Sequence, residues 1–346
     1  MVQKNKNKNK GKNKGKKHVL PFVSICTPTF NRRPFFEGAI KCVLNQDYPQ
    51  ELLEWIIIDD GTDHIEDLVK DIDIVKYFKY DEKMKLGKKR NLMHSKCKGS
   101  IIVYFDDDDY YPPERVSHSV NMLLTHPKSL CAGSSELNLY FNHNETVYKF
   151  GPYGPNHATA GTFAFKKELL ENNNYDDDAA LAEERHFLKG YTVPFVQLES
   201  KKTILVISHK QNTFDKKMLL GSADKPGSKI KSTDSKLNEF IKNEEMLDFY
   251  SNKIHKLIEN YAPGRPEMKP DVVKQTNEIL KKLSNNGNDG NMRLSFNDGK
   301  IVVINNNTPT ELSQEQIFKI IQQIQTEKNN LRDENEKLKE KLKIKT

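Results

Sequence analysis

The sequence predicts an α/β protein built on a mostly parallel sheet with helices on both faces, followed by a helical region and a C-terminal coiled coil. Three features carry that expectation. Between residues 19 and 212, short continuous apolar runs alternate with amphipathic stretches, the pattern of strands buried on both faces and joined by helical crossovers. Several of those runs end directly in polar clusters, as expected of strands whose carboxyl ends line a ligand cleft. Residues 312–344 repeat apolar side chains at seven-residue intervals, the pattern of a coiled coil.

Taken in order, residues 1–18 hold eight lysines and no acid, with almost nothing apolar. Such a segment buries too little surface to offset its ordering entropy, so a disordered basic tail is expected. It also explains the charge balance. The net charge is +7, so the rest of the chain is close to neutral and carries no general signature of specific nucleic-acid binding.

A domain over 19–230 follows. Residues 22–26 read as a buried strand, 36–44 as a helix, 55–58 as a second strand and 65–70 as a short helix. Residues 75–78 read as a third strand, 88–97 as a helix and 101–105 as a fourth strand. A later strand at 203–207 is expected to end on the same edge of the sheet.

The composition then shifts to Lys, Asn and Ser. A helical region and linker are expected over 231–290, with helices near 234–260 and 270–283 and an Asn- and Gly-rich linker at 285–290. A small hairpin is expected over 291–306, turning at Asn297, Asp298 and Gly299. In the coiled-coil stretch at 312–344, Ile317, Ile324, Leu331 and Leu338 form one core register. Ile321, Lys328, Asn335 and Leu342 form the other, which implies a homodimer.

The chain has 346 residues, room for one large domain with appendages. Cys26, Cys42, Cys97 and Cys131 form no C-x-x-C pair and no dense framework, which reads as free thiols in a reducing compartment. No run approaches the roughly 18 apolar residues of a membrane span, and no apolar segment follows the first lysines as in a secretory signal. A cytoplasmic location is therefore expected.

The chemistry is expected where the strands end. The first strand runs into Thr27, Pro28, Thr29, Phe30, Asn31 and Arg32, the second into Asp59, Asp60, Gly61 and Thr62, the fourth into Asp106, Asp107, Asp108 and Asp109, and the late strand into Ser208 and His209. Four adjacent carboxylates repel one another unless cations sit among them. A hard divalent ion, Mn2+ or Mg2+, takes oxygen ligands and keeps positions open for phosphate oxygens. A basic helix start at Leu86, Gly87, Lys88, Lys89 and Arg90 suits an anion.

These pieces, in this order, resemble the inverting glycosyltransferases of family 2, which have the GT-A fold. The matching pieces are 23–32, then 57–62, then Gly87 with Arg90 and Asn91, then 105–109 followed by Pro113, Glu114 and Arg115, over about residues 20–212. The resemblance implies that Thr27, Pro28, Thr29, Asn31 and Arg32 form the first nucleotide-contacting loop and that Asp60, with Asp59, reads the base. It implies that Arg90 lies near the nucleotide. Asp106 and Asp108 match the ends of the family's D-x-D motif, with Asp106 and Asp107 toward the ribose and Asp108 and Asp106 toward the metal.

The family's catalytic base is commonly an Asp preceded by Glu. Here Glu183 and Glu184 stand in that place, with Glu184 as the base. His209 is a further candidate metal ligand, because some GT-A enzymes place a His after the last strand. Residues 160–165 resemble the segment that lines the acceptor side.

The expected function is metal-dependent transfer of a hexosyl or N-acetylhexosaminyl group from a nucleotide-sugar, a UDP-sugar first, to a hydroxyl of a glycan or protein acceptor. The alternative is a GT-A-fold interaction protein of weak activity that assembles partners through its coiled coil. Sugar and acceptor are not legible, because acceptor loops vary most within a fold.

Overall fold

A computed structural model describes residues 19–180, 184–212 and 216–275, the strands at 292–297, 300–305 and 308–311, and residues 322 and 326. The apolar runs form the expected parallel strands. β1 (Val23–Thr29) lies between β2 (Leu53–Asp59) and β4 (Ile101–Tyr104), and β3 (Val75–Lys79) extends the sheet beyond β2. Alternate residues of β2 feed two cores. Trp55 and Ile57 pack with Phe36 and Val43 on one face, and Ile56 and Ile58 pack with Met93 and Tyr104 on the other. Both faces are covered, which is why the strand reads as an unbroken apolar run.

Four helices lie between the strands: α1 (Phe36–Leu44), α2 (Glu66–Val69), α3 (Leu86–Lys96) and α4 (Arg115–Thr125). α1 is amphipathic in the ordinary way. α3 is not, and the residues it buries include Lys89, Arg90 and His94. A helix that buries charge in place of an apolar stripe must meet polar partners, and these lie at the candidate site described below.

The sheet is not parallel throughout. Its order is β3-β2-β1-β4-β8-β5-β9. β8 (Ala164–Lys166) enters antiparallel between β4 and β5 (Cys131–Gly133), and β9 (Phe195–Gln197) runs parallel to β5. The physical reason is the connection. α4 returns the chain to make β5 by a helical crossover. β8 is reached instead through the hairpin of β6 (Leu137–Phe141) and β7 (Thr146–Phe150), with no helical crossover to restore its direction.

The late strand is also displaced from its expected position. β10 (Leu205–Ser208) belongs to a second sheet of order β10-β6-β7-β11, where β11 is Ile230–Ser232. A bridge between Tyr110 and Leu205 still brings its end to the acidic turn.

After β8, α5 (Glu184–Phe187) begins at the candidate base. Beyond the second sheet come α6 (Leu237–Phe240), α7 (Glu244–Asp248), a π-helical turn at Phe249–Lys253 and α8 (Ile254–Glu259). Phe249, Tyr250, Ile254 and Ile258 join the same core as α1 and β1, so these helices pack on the main sheet. Residues 270–275 are helical.

β12 (Met292–Asn297) and β13 (Lys300–Asn305) pair antiparallel with Asn297 opposite Lys300, as a hairpin. β14 (Thr308–Glu311) adds a third strand that the sequence pattern did not indicate. The basic tail, the linker at 285–290, Glu183 and the coiled-coil stretch at 312–344 apart from residues 322 and 326 lie outside the described residues. Among the described residues no helix is long and apolar enough to cross a membrane.

Arg115 shows how the acidic turn is held from behind. Its guanidinium is fully buried and donates to Ser119 Oγ (2.8 Å), Phe163 O (2.9 Å) and Tyr104 O (3.4 Å), so it joins α4, the end of β4 and the entry to β8. Burial pushes its pKa down to about 10, which leaves it charged at neutral pH. Arg115→Ala removes these donors and opens a cavity. We expect a loss of about 3 kcal/mol of unfolding free energy, read as a lower urea midpoint with unchanged slope. A loss below about 1 kcal/mol would refute this role.

Candidate active site

A cleft of about 310 Å³ opens where the strand ends converge. Its walls come from the loop after β1 (Pro28, Thr29, Phe30, Arg32) and from the approach to α3 and its first turns (Lys83, Met84, Leu86, Lys89, Arg90). The acidic run 106–109, Ala180, Asn212, Lys216 and a distant segment (Lys269, Asp271, Val272) complete it. Of the residues anticipated from the sequence, Pro28, Thr29, Arg32, Arg90, Asp106, Asp107 and Asp108 line this cleft together. Thr27, Asn31, Asp59, Asp60, Glu184 and His209 do not.

Those that fall behind the wall have clear structural work. Thr27 Oγ1 accepts the Trp55 indole N–H at 2.8 Å. Asn31 sits at φ 53°, a left-handed conformation that Asn tolerates. Its Oδ1 accepts from the backbone N–H groups of Thr62 (2.7 Å) and Asp63 (2.9 Å), tying the first loop to the second. Asp59 accepts from Gly61 N (3.0 Å), Ile65 N (3.1 Å) and Tyr77 Oη (2.7 Å), so it organises its own turn. Asp60 is buried, accepts from Met84 N (2.6 Å) and pairs with Lys89. It presents a cation to the cleft, not its own carboxylate.

The acidic run resolves into four different carboxyls. Asp106 is 4.0 Å from the Arg90 guanidinium. Its backbone N–H donates to Tyr111 Oη at 2.7 Å. Its carboxylate lies against Gly161, where a Cβ would come within 2.5 Å of Asp106 Oδ2. Burial pushes the Asp107 pKa up to about 7, and Asp108 adds to the rise, while Arg32 at 3.7 Å opposes it. For Asp108, burial acts upward but is outweighed by Arg32 at 3.4 Å and His209 at 3.1 Å, which hold it well below the ordinary carboxyl range. Burial holds Asp109 well above that range, and its Oδ1 accepts from Ile207 N at 2.9 Å. The run thus relieves its repulsion with two arginines and with raised pKa values at Asp107 and Asp109. Repulsion alone does not require a metal here.

Whether the residues suit a divalent ion is decided by which oxygens reach the cleft. The Asp106 and Asp108 carboxylates are 31% and 15% exposed, against 8% for Asp107, and both line the wall. Mg2+-type ions are commonly held by one or two carboxylates plus substrate phosphates, so this hard-oxygen pair fits.

His209 fits less well. Its Nδ1 accepts from Gln211 N at 3.2 Å, and its Nε2 lies 3.1 Å from Asp108 Oδ2 and 2.8 Å from Asn212 Nδ2. Burial drives its pKa down to about 4, so the ring is neutral. Both ring nitrogens are thus engaged by protein groups, and His209 contacts Asp108 from behind the cleft wall. Among the described residues no cluster of three or more His, Cys, Asp or Glu side chains is placed as a ligand cage.

Glu184 opens α5 and accepts from Ala160 N at 3.1 Å. The next residue, Gly161, is the one packed on Asp106, so Glu184 approaches the acidic run across a single backbone segment. The anion site expected at the start of α3 is partly closed, because the Gly87 N–H is spent on Ala179 O at 2.9 Å. Reading strand ends missed Lys83, Lys216 and Lys269. Lys83 stands in a loop, Lys216 opens a 3-10 helix outside the strand pattern, and Lys269 lies in a stretch whose composition marks it only as an appendage.

The family model for glycosyl transferase family 2 matches residues 24–173, which include both β-strand loops, α3, the acidic run and Gly161. A GalNAc(5)-diNAcBac-PP-undecaprenol beta-1,3-glucosyltransferase of Campylobacter jejuni is 28% identical over 180 residues, covering 46% of this chain and 56% of the relative. An uncharacterized glycosyltransferase of Haemophilus influenzae is 24% identical over 245 residues, covering 66% of this chain and 90% of the relative. The chain thus spans little more than half the length of the Campylobacter enzyme. A solved mannosyltransferase, PcManGT from Pyrobaculum calidifontis in complex with GDP-Man and Mn2+, is similar with a TM-score of 0.48 at 16% identity, over 78% of this chain and 77% of that one. By this match and these relatives, residues 24–173 resemble a glycosyl transferase family 2 domain.

Proposed function

We propose that the chain is a metal-dependent inverting glycosyltransferase that moves a sugar from a nucleotide-sugar, a UDP-sugar first, to a hydroxyl of a glycan or protein acceptor. The observation that carries this reading is the convergence of Arg32, Arg90, Asp106 and Asp108 on one cleft within a family 2 domain.

Each part has a chemical role in this reading. Pro28, Thr29 and Phe30 form the wall on which base and ribose rest. Arg32 and Arg90 face the acidic run and offer charge-assisted hydrogen bonds to phosphate oxygens. Asp106 and Asp108 would hold Mn2+ or Mg2+, with Asp107 beside them at the ribose. A bound divalent ion supplies positive charge against the negative charge that develops on the departing diphosphate. His209 keeps Asp108 ionised and aimed. Glu184 accepts the proton of the acceptor hydroxyl as its oxygen bonds to the anomeric carbon and the bond to the diphosphate breaks. A single displacement of this kind inverts the anomeric centre.

The test is calorimetric titration of the full chain with UDP and GDP, with and without Mn2+, followed by assay of donor hydrolysis. Metal-dependent binding of one of them is expected, and no binding of either at millimolar concentration would sink the reading. Asp108→Asn should keep the circular dichroism spectrum of the folded chain yet lose about 100-fold or more in turnover, the size of a lost charge contact in a transition state. Normal turnover in that variant would refute the metal assignment. Glu184→Gln should leave UDP affinity unchanged and lower turnover by about 10²–10⁴-fold. Retained turnover would move the base role to another carboxylate.

A further inference from the structure

Residues 261–275 lie beyond the family-matched segment and cross the cleft from one side to the other. At the near end Tyr261 donates its hydroxyl to Asp63 Oδ2 (2.8 Å), Gln211 Nε2 donates to Tyr261 O (2.7 Å), and Asn31 Nδ2 donates to Pro263 O (3.1 Å). Gly264 fits closely there, since a Cβ would lie 2.2 Å from Gln211 Oε1 and 2.8 Å from Asn31 O. At the far end Asp271 pairs with Lys83 at 2.5 Å. Gln275 donates to Asp178 O (2.9 Å) and accepts from Ala180 N (3.3 Å). Both anchors are loops that shape the cleft, so the strap's position and the cleft's shape are coupled.

Between the anchors, Lys269 and Val272 line the cleft wall. Lys269 is only 8% exposed. Burial pushes its pKa down to about 7 and Arg32 adds to the fall, while Asp108 and Asp107 oppose it. Taking an ammonium out of water costs several kcal/mol, and lysines are rarely buried to this degree. Lys269 lines the same wall as Arg32, Arg90, Asp107 and Asp108, so it borders the place where a diphosphate held at the acidic run would lie.

We propose that the strap at 261–275 is a wall of the donor site and that Lys269 is a binding residue for the diphosphate of the nucleotide donor. This rests on the reading of the cleft as a nucleotide-sugar site. It assigns to the chain beyond the family domain a direct part in holding the donor, and a phosphate contact that the family match does not contain.

The test compares the full chain with Lys269→Ala and Lys269→Arg, measuring affinity for UDP by calorimetry with Mn2+ and for uridine by competition. Lys269→Ala should weaken UDP about tenfold or more and leave uridine within twofold, and Lys269→Arg should restore part of the UDP affinity. Gly264→Ala, which lifts the near end of the strap, should also weaken UDP. UDP affinity of Lys269→Ala within twofold of wild type would overturn the assignment. So would an equal loss for uridine, which would mean that Lys269 only shapes the wall. Absence of UDP or GDP binding by the wild-type chain would overturn the donor-site reading itself and this inference with it.

Discussion

The buried guanidinium of Arg32 is the interaction on which the rest of the cleft depends. It lies 3.7 Å from Asp107 and 3.4 Å from Asp108, and it donates to Gln211 O at 2.8 Å. One side chain from the loop after β1 thereby ties the acidic turn after β4 to the segment after β10. Four adjacent aspartates would otherwise repel one another, and a turn that holds them in one rigid place would be costly. A cation already built into the fold lets the turn stay assembled in the free protein. A metal and a diphosphate would then enter a preformed arrangement, and the ordering cost is met at folding and not at binding.

The consequences spread outward from that pair. His209 contacts Asp108 and accepts from the Gln211 backbone N–H, and Gln211 in turn receives Arg32 at its carbonyl and donates its side-chain amide to Tyr261 O and to Ile258 O. The residues that hold Arg32 therefore also hold the strap. On the opposite wall Asp60 fixes Lys89, and Tyr111 fixes the Asp106 backbone while its own hydroxyl donates to Gly161 O at 3.1 Å. Gly161 is small because the Asp106 carboxylate fills the space where a side chain would begin. Electrostatics and close packing here impose the same arrangement, so a change in one is felt by the other.

Much of this was legible in the sequence, for identifiable reasons. β1 to β4 and the helices between them are long apolar runs and periodic stretches with strong boundaries, and they lie close to where the pattern puts them. β8 and β10 were harder. Their direction and sheet membership follow from the β6–β7 hairpin, and a short strand carries no mark of which way it runs. The cleft's aspartates and Arg32 were visible as clusters after strands, and Arg90 in the basic start of a helix.

What the sequence could not separate was lining from scaffolding. Asn31 stands in the same loop as Thr29 and Arg32, yet its side-chain oxygen is occupied by backbone N–H groups, and Asp59 and Asp60 are likewise taken up by backbone N–H groups. That distinction is set by φ and by loop closure, not by residue type. Lys269 was invisible for a different reason. Its neighbours in sequence follow no strand-end pattern, and the anchors at both ends of the strap place it at the cleft.

The boundary of the family match, at residue 173, falls inside the site and not around it. The acidic run, both arginines and the first two loops lie within it. Glu184, His209, Asn212, Lys216 and Lys269 lie beyond it. The inner set consists of groups suited to nucleotide and metal, chemistry that is the same whatever sugar is moved. The outer set contributes the candidate base, the residue that aims Asp108 and the strap. In the proposed reading these groups border the place where an acceptor would approach the anomeric carbon. A fold that keeps donor chemistry on rigid strand ends can vary its acceptor by changing the segments laid over them. In this chain those segments are anchored by hydrogen bonds to the same loops that carry Arg32, so a change in the covering segments cannot leave the donor wall untouched.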